Sequence, residues 1–220
     1  MNREGAVKRL IFVNGTMGVG KSSVSHELKN LLTPCAFLDG DWCWDFAPFT
    51  VTEETKALVL DNAAYLLNAF LRGSAVRNVL FCWVMPARFV IDDLLSRITE
   101  PYSFQLFTLT ASEQSLCARL NADIAAGNRT QDVVARSLAY LPLYESGMGG
   151  VMVDTSCRSA AEIAQFIADK VVGKAPKQGM FNFAQKTSDC FIEEGAQLSA
   201  SAAVPDERMK ERSRRRDDET

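Results

Sequence analysis

Short apolar runs alternate along the chain with longer segments in which apolar residues recur every three or four positions. Five runs have the length and composition typical of buried strands. They are RLIFVN (9–14), CAFLD (35–39), NVLFCWVM (78–85), SFQLFTL (103–109) and VMVD (151–154). The segments between them have helical spacing, as in SSVSHELKNLL (22–32) and FVIDDLLSRI (89–98). The alternation predicts an α/β fold with a five-stranded parallel sheet flanked by helices.

Polar pairs at fixed spacing predict where three further helices begin. A Ser or Thr followed three residues later by Glu is the pattern of a capping box, in which each side chain accepts a bond from the other residue's backbone N–H. Three pairs fit this pattern: Thr50 with Glu53, Thr110 with Glu113, and Ser159 with Glu162. We therefore expect helices over 52–72, after Thr110, and from Ser159 to near Val172.

The pattern is lost near Lys174. GKAPKQG is typical of a linker, and the residues after it lack sustained periodicity and end in a polar, charged run. The sequence therefore predicts one domain over 1–174 and an extension over 175–220 whose end is disordered. The apolar patch 180–183 is a candidate for docking on the domain.

Composition narrows the class of protein. The chain has 220 residues, 47% of them hydrophobic, so it can bury one sizeable core. Six cysteines without a CxxC pair and a single histidine do not fit zinc spacing, and they favour reduced thiols in the cytoplasm. No apolar window approaches a membrane span. A net charge of −3 disfavours nucleic acid as a partner, although KERSRRR near the end is basic. The oligomeric state stays open.

The stretch FVNGTMGVGKSS, over 12–23, carries the chemistry most clearly. It matches G-x-x-x-x-G-K-[ST] and lies where that motif requires, between a buried strand and a helix. Backbone N–H groups of such a loop bind phosphate, the lysine reaches the β- and γ-phosphates, and the serine offers an oxygen to Mg²⁺. A glycine-rich turn is the alternative, but four specified positions coincide by chance only about 1% of the time. The predicted nucleotide-binding residues are Gly15, Thr16, Met17, Gly18, Val19, Gly20, Lys21, Ser22 and Ser23.

With FLDGDW (37–42) one strand later, this loop resembles the P-loop small-molecule kinases, which include gluconate, adenylylsulfate, shikimate and nucleoside kinases. Gluconate and adenylylsulfate kinases carry a similar LDGD here. The resemblance covers 8–173 and implies a P-loop NTPase fold, sheet order 2-3-1-4-5, a small lid, and transfer of the γ-phosphoryl of ATP, with Mg²⁺, to a small-molecule hydroxyl. The following WCWDFAPF lacks the histidine and proline of gluconate kinases and the asparagine and arginine of adenylylsulfate kinases. The acceptor therefore stays open.

Asp39 and Asp41 follow the second strand, at the edge where open α/β sheets bind ligands. By resemblance, both are catalytic, and Asp39 joins Ser22 on the metal side. Either carboxylate could accept the proton of the attacking hydroxyl, and we favour Asp41 because it lies nearer the divergent WCW segment. The alternative is an Asp-Gly-Asp turn that caps the next segment.

Three arginines flank a break at Gly127. The resemblance implies a mobile lid here, with Arg119 near the adenine and Arg129, alongside Lys21, as a catalytic residue over the transferred phosphoryl group. Arg136 is a weaker candidate on the acceptor side. Arginine suits these roles because its planar guanidinium stacks on bases and forks onto phosphate oxygens. The alternative is that all three are solvated helix charges.

The remaining acceptor candidates are Trp42 and Trp83, which could stack on a flat molecule, and Arg88, which could hold an anionic group. Core packing and surface charge are the alternatives. Backbone groups over 155–158 are expected to border the adenine. Phe49 is expected in the core, and His26 in a structural role.

Three functions remain open at this point. The first is a small-molecule kinase, the second is an ATPase or nucleotide-dependent switch without an acceptor, and the third is a nucleic-acid end kinase. No [NT]KxD motif is present, which disfavours a GTPase. The third function usually needs a basic channel, which an acidic chain does not predict.

Overall fold

Five parallel strands form one sheet in the order β2-β3-β1-β4-β5. They are β1 (Lys8–Asn14), β2 (Cys35–Asp39), β3 (Asn78–Cys82), β4 (Tyr102–Thr110) and β5 (Val151–Asp154). The computed structural model describes residues 7–145 and 147–173. The order and direction of the strands confirm the predicted P-loop NTPase fold. The predicted extension over 175–220, with its patch 180–183, lies outside the described residues.

Helices cover both faces of the sheet. The described residues form α1 (Lys21–Leu31), α2 (Glu53–Arg72), α3 (Arg88–Ser96), α4 (Glu113–Ala125), α5 (Asp132–Tyr140) and α6 (Ala160–Val171), with 3₁₀ helices at Gly40–Trp44 and Leu141–Tyr144. None of these helices has the length and apolar content needed to cross a membrane.

The strand β1 shows why its apolar run is continuous. Ile11 and Val13 pack on one face, in a core shared with α1, α4, α5 and α6. Leu10 and Phe12 pack on the opposite face, against α2 and α3. Alternate side chains of a strand point to opposite faces, so a strand covered on both sides must be apolar at every position.

Two of the three predicted capping residues, Thr50 and Thr110, are wrong by two positions. The helix α2 is capped by Thr52, whose hydroxyl accepts a bond from Thr55 N–H, whereas the Thr50 hydroxyl donates to the Pro48 carbonyl at 3.1 Å. The helix α4 is capped by Ser112, because Thr110 is still paired in β4. The third prediction is confirmed, since Ser159 and Glu162 form a complete capping box.

The third strand is shorter than predicted. It ends at Cys82 rather than residue 85, although the Trp83 N–H still donates to the Val13 carbonyl at 3.2 Å. Residues 83–85 are apolar because they are buried in the core beyond the strand end. Here the chain leaves the sheet and lines the site described next.

Candidate active site

Glycines give the loop between β1 and α1 its shape. Gly15, Gly18 and Gly20 have φ of 141°, 77° and 104°, in the left-handed region that other residues rarely adopt. A Cβ on Gly15 would lie 2.6 Å from the Leu109 carbonyl oxygen, and one on Gly18 would lie 2.5 Å from Leu120 Cδ2. At both positions, glycine is therefore required for the conformation and for the close approach of neighbouring atoms.

Helix α5 anchors this loop from behind. The Thr16 hydroxyl lies 3.0 Å from the Ser137 carbonyl oxygen and accordingly donates to it, while the Ser137 hydroxyl donates to the Met17 carbonyl at 2.6 Å. Thr16, Met17 and Ser137 are all buried. The bonds at the Thr16 hydroxyl and the Met17 backbone carbonyl thus tie the loop to α5, and neither residue lines the cleft over it.

A cleft of about 300 Å³ opens over the loop. Residues 18–23 form its floor, and Lys21 folds across the loop so that Nζ donates to the Thr16 carbonyl at 2.9 Å. The ends of β2 and β3 supply one wall, and the arginines of the α4–α5 region supply another. The predicted residues in the lining are Gly18, Val19, Gly20, Lys21, Ser22, Ser23, Asp39, Asp41, Trp83, Arg119 and Arg129.

Asp39 joins the loop to the end of β2. One of its carboxylate oxygens accepts a hydrogen bond from the Ser22 hydroxyl at 3.2 Å. The other accepts from the Asp41 backbone N–H, also at 3.2 Å, and so caps the 3₁₀ helix that follows. Asp39 therefore makes the turn that the sequence offered as an alternative, and it also places an oxygen beside Ser22 in the cleft.

Trp83 holds Asp41. Its indole N–H donates to Asp41 Oδ1 at 3.1 Å. The indole ring also packs against Gly40, where a Cβ would lie 2.3 Å from Trp83 Cγ. Gly40 is therefore required for the approach of the ring. The sequence predicted Trp83 as a stacking surface and gave no sign of this bond across 42 positions.

The carboxylates of Asp39 and Asp41 make the electrostatic potential negative at the ends of β2 and β3. Burial raises the pKa of the nearby Cys43 thiol to about 11, and the negative charges of Asp39 and Asp41 add to the effect. Burial likewise raises the pKa of Cys82, with a contribution from Asp39. A site with this field favours a cation and keeps both thiols protonated at neutral pH.

Arg119 connects the loop to the turn after β5. Its guanidinium donates to the Thr155 hydroxyl at 2.9 Å and to the Val19 carbonyl at 3.3 Å, and it also bonds the Thr155 carbonyl. Thr155 and Arg158 line the same end of the cleft. The residues predicted to border the adenine therefore lie together, at the end of the cleft formed by β5 and α6.

Arg129 follows the break between α4 and α5, where Gly127 has φ of 74°. Its side chain is only 2% exposed, and its Nε lies 2.9 Å from Asp123 Oδ2. Both residues line the cleft. The alternative of a solvated helix charge is therefore wrong for Arg129. Its predicted role over the phosphoryl group stays a prediction.

Three acceptor candidates lie outside the cleft lining. Trp42 is exposed and packs edge-on against Phe37. Arg88 pairs with Asp92 and donates to the Met148 carbonyl at 2.9 Å. Arg136 lies 3.2 Å from Asp132 on its own helix. The acceptor roles of Trp42, Arg88 and Arg136 stay predictions.

The fold agrees with comparison to known proteins. The chain belongs to the AAA domain family, whose sequence profile matches residues 11–135. No curated protein sequence matches the chain. Among solved structures, the chain is similar to a tunicamycin resistance protein of Deinococcus radiodurans, at 20% identity and a TM-score of 0.58, covering 76% of this chain and 97% of the other.

Two kinases have a similar fold. A sugar kinase of Janibacter sp. HTCC2649 has a TM-score of 0.56 at 19% identity, covering 77% of this chain and 96% of its own. The APS kinase of Mycobacterium tuberculosis, solved with AMPPNP and APS, has a TM-score of 0.52 at 18% identity, covering 76% and 99%. At this identity the likeness establishes the fold, so activity has to be argued from the site.

Proposed function

We propose that this chain is a cytoplasmic kinase that transfers the γ-phosphoryl group of ATP to a hydroxyl of a small molecule. The observation that carries the proposal is the placement of Asp41, which lines the same cleft as Lys21 and is held there by the indole N–H of Trp83. A phosphate-binding loop alone would serve any nucleotide-dependent protein. A carboxylate oriented beside it is what a reaction with a hydroxyl acceptor needs.

The cleft suits a nucleoside triphosphate. The phosphates would lie over residues 18–22, where backbone N–H groups at the start of α1 and the Lys21 ammonium provide positive charge. The base would lie at the other end, beside Arg119, Thr155 and Arg158. Arg119 bonds both the loop and Thr155, so it keeps the two ends of the site at a fixed separation.

The donor set also fits Mg²⁺. Ser22 and Asp39 present oxygens 3.2 Å apart, and hard oxygen donors are the ligands that Mg²⁺ prefers. Among residues 7–145 and 147–173, no three His, Cys, Asp or Glu side chains form a ready cage. This is the usual case for Mg²⁺ bound chiefly through substrate phosphates and water. When bound, the ion would neutralise phosphate charge.

The proposed reaction is an in-line displacement. The acceptor hydroxyl gives its proton to the carboxylate of Asp41, and its oxygen uses an electron pair to bond the γ-phosphorus. The bond from that phosphorus to the bridging oxygen breaks, and its electron pair leaves on ADP. Arg129 and Lys21 would offset the charge on the transferring group, which is how most of the catalysis arises in such reactions.

The test is acceptor-stimulated release of ADP. Purified protein is incubated with ATP, Mg²⁺ and panels of sugars, nucleosides and neutral alcohols, and the ADP formed is measured with and without each compound. We expect stimulation by at least one small hydroxyl compound. In Lys21→Ala, turnover should fall by about 10³-fold with the fold intact, because the lysine acts on phosphate and has little packing role. Lys29→Ala, on the same helix, is the matched control.

Three results would contradict the proposal. ATP hydrolysis that no small molecule stimulates would favour an ATPase or switch. Tight, salt-dependent binding of oligonucleotides with phosphorylation of their ends would favour a nucleic-acid kinase. Wild-type turnover in a folded Lys21→Ala protein would remove the phosphate loop from the reaction.

A further inference from the structure

A second cavity, of about 170 Å³, shares Trp83 with the nucleotide cleft. It lies between α2, α3 and the 3₁₀ helix after β2. Apolar side chains form most of its wall, with two indoles whose centroids are 6.2 Å apart. These residues are Trp44, Ala57, Leu60, Trp83, Phe89 and Val90.

The charged residues at this cavity neutralise one another. Lys56 Nζ lies 2.8 Å from Glu53, and both residues line the cavity. Arg97 Nε lies 3.0 Å from Asp93, and its Nη1 lies 2.5 Å from Asp61. Each cation therefore already has a carboxylate partner. A bound anion would have to compete with these pairs, whereas a neutral molecule would leave them in place.

Trp83 connects this cavity to the chemistry. Its ring forms part of the cavity wall, while its indole N–H bonds Asp41 in the nucleotide cleft. A molecule bound in the cavity therefore contacts the side chain that positions Asp41. Arg88, the residue predicted to hold an anionic group, is not part of the cavity lining and bonds the Met148 carbonyl.

We propose that this cavity binds the phosphoryl acceptor, and that the acceptor is an uncharged molecule with a flat, largely apolar body and a hydroxyl on a short arm. The proposal rests on the proposed kinase function and narrows its substrate class. The volume suits one substituted ring, since drug-sized ligands occupy pockets of about 300–1,000 Å³. The paired charges and the apolar wall disfavour carboxylated polyols.

A matched pair of probes tests the charge of the acceptor. In 4-methylbenzyl alcohol and 4-(hydroxymethyl)benzoate, the ring and the hydroxyl are the same, and a methyl group replaces a carboxylate. We expect the alcohol to bind by calorimetry and to stimulate ADP release, with kcat/KM at least about tenfold above that of the carboxylate. Equal use of the two probes, or preference for the carboxylate, would overturn the proposal.

Variants test the location. Phe89 is 57% exposed, so Phe89→Ala should fold, and we expect it to raise the KM of the alcohol about tenfold while leaving the KM of ATP unchanged. Tyr65→Ala removes another exposed aromatic, which is outside the cavity, and should change neither value. Asp93→Asn removes a partner of Arg97 and should narrow the preference for the alcohol over the carboxylate. An unchanged KM in Phe89→Ala would overturn the location.

The two proposals fail in different ways. If ATP is bound and an anionic compound is phosphorylated, the kinase function stands and this acceptor class is wrong. If calorimetry shows the alcohol bound in a Phe89-dependent way but no compound is phosphorylated, the cavity stands as a binding site, while the kinase function and the acceptor role are both wrong.

Discussion

The two sides of the cleft hold their shape by different means. The phosphate loop depends on its backbone, with three glycines at positive φ and a carbonyl of the loop bonded by Ser137. The opposite side, Asp39 to Trp44, depends on side chains, because Asp39 caps its 3₁₀ helix and Trp83 both packs on Gly40 and bonds Asp41. A backbone site suits phosphate in any nucleotide, whereas a side-chain site can be specialised for one acceptor.

Substituting a glycine on each side gives the largest expected difference in stability. Gly15→Ala should cost about 3 kcal/mol or more, because the new Cβ meets a backbone carbonyl and the residue must keep a positive φ. Gly40→Ala should cost less, about 2 kcal/mol, because the new Cβ meets side-chain atoms of Trp83 and no carbonyl, and Gly40 does not have a positive φ. Gly73→Ala, with ordinary contacts at 3.5 Å and beyond, is the control. Urea unfolding measures all three. Equal losses of unfolding free energy in Gly15→Ala and Gly40→Ala would contradict the proposed difference between the two sides of the cleft.

Neutralising Asp39 and Asp41 one at a time separates their roles on the side of the cleft formed by Asp39 to Trp44. Asp41→Asn should lower turnover by about 10²-fold at saturating Mg²⁺, through loss of the proton acceptor. Asp39→Asn should be partly rescued by raising Mg²⁺, because it loosens the cation and keeps the turn. Steady-state kinetics across a Mg²⁺ series distinguishes them. Normal turnover in both variants, with several degrees lost in Tm, would leave these residues with a turn-capping role alone.

Trp83→Phe tests how Asp41 is positioned. The substitution keeps a ring but removes the indole N–H, and we expect kcat to fall by about tenfold. The KM of ATP should stay unchanged, because the phosphate loop does not depend on this bond. Tyr65→Phe, which removes a polar hydrogen from an exposed ring outside the cleft, is the control. A fall in Tm with no change in kcat would make Trp83 purely structural.

The smallest expected effect lies at α6, which packs against α1 on the phosphate-loop side. Hydrogen bonds from Ser159 lower the pKa of Glu162 below its usual value of 4.5. Because the folded pKa is the lower one, the contribution to stability is fully present above pH 4.5 and is lost as the pH falls through the folded pKa. Urea unfolding should therefore show Glu162→Gln less stable than wild type at pH 7, with the difference vanishing in acid. A difference that persists at pH 2 would contradict this.

The contrast between the two sides of the cleft also explains which features could be predicted from the sequence. The phosphate loop is a local pattern, and a run such as 9–14 reports burial on both faces, so the loop, the strands and the sheet order could all be predicted from pattern and resemblance. The bond from Trp83 to Asp41 joins residues that follow two different strands and lie 42 positions apart, and no local pattern encodes it. The burial of Arg129 likewise depends on how α4 and α5 pack.

The helix caps show that even a local sequence pattern can predict the wrong residue. Three segments carried the same Ser or Thr pattern, and it marked the cap only at Ser159. At α4 the true cap, Ser112, is two residues later, because pairing with β5 extends β4 through Thr110. Hydrogen bonding in the sheet therefore decided between two residues of similar capping ability.

Asn14, the last residue of β1, is a position at which few substitutions would preserve the local hydrogen bonds. Its amide donates to the Met85 carbonyl at 3.0 Å and accepts from the Met85 N–H at 2.9 Å, so a side chain continues the sheet where two backbones diverge. Aspartate at this buried position would lose the donor and add a charge, and leucine would leave both Met85 groups unpaired. Neighbouring apolar residues can be replaced by others of similar volume. Position 14 tolerates few single substitutions, so proteins descended from this chain should retain the amide.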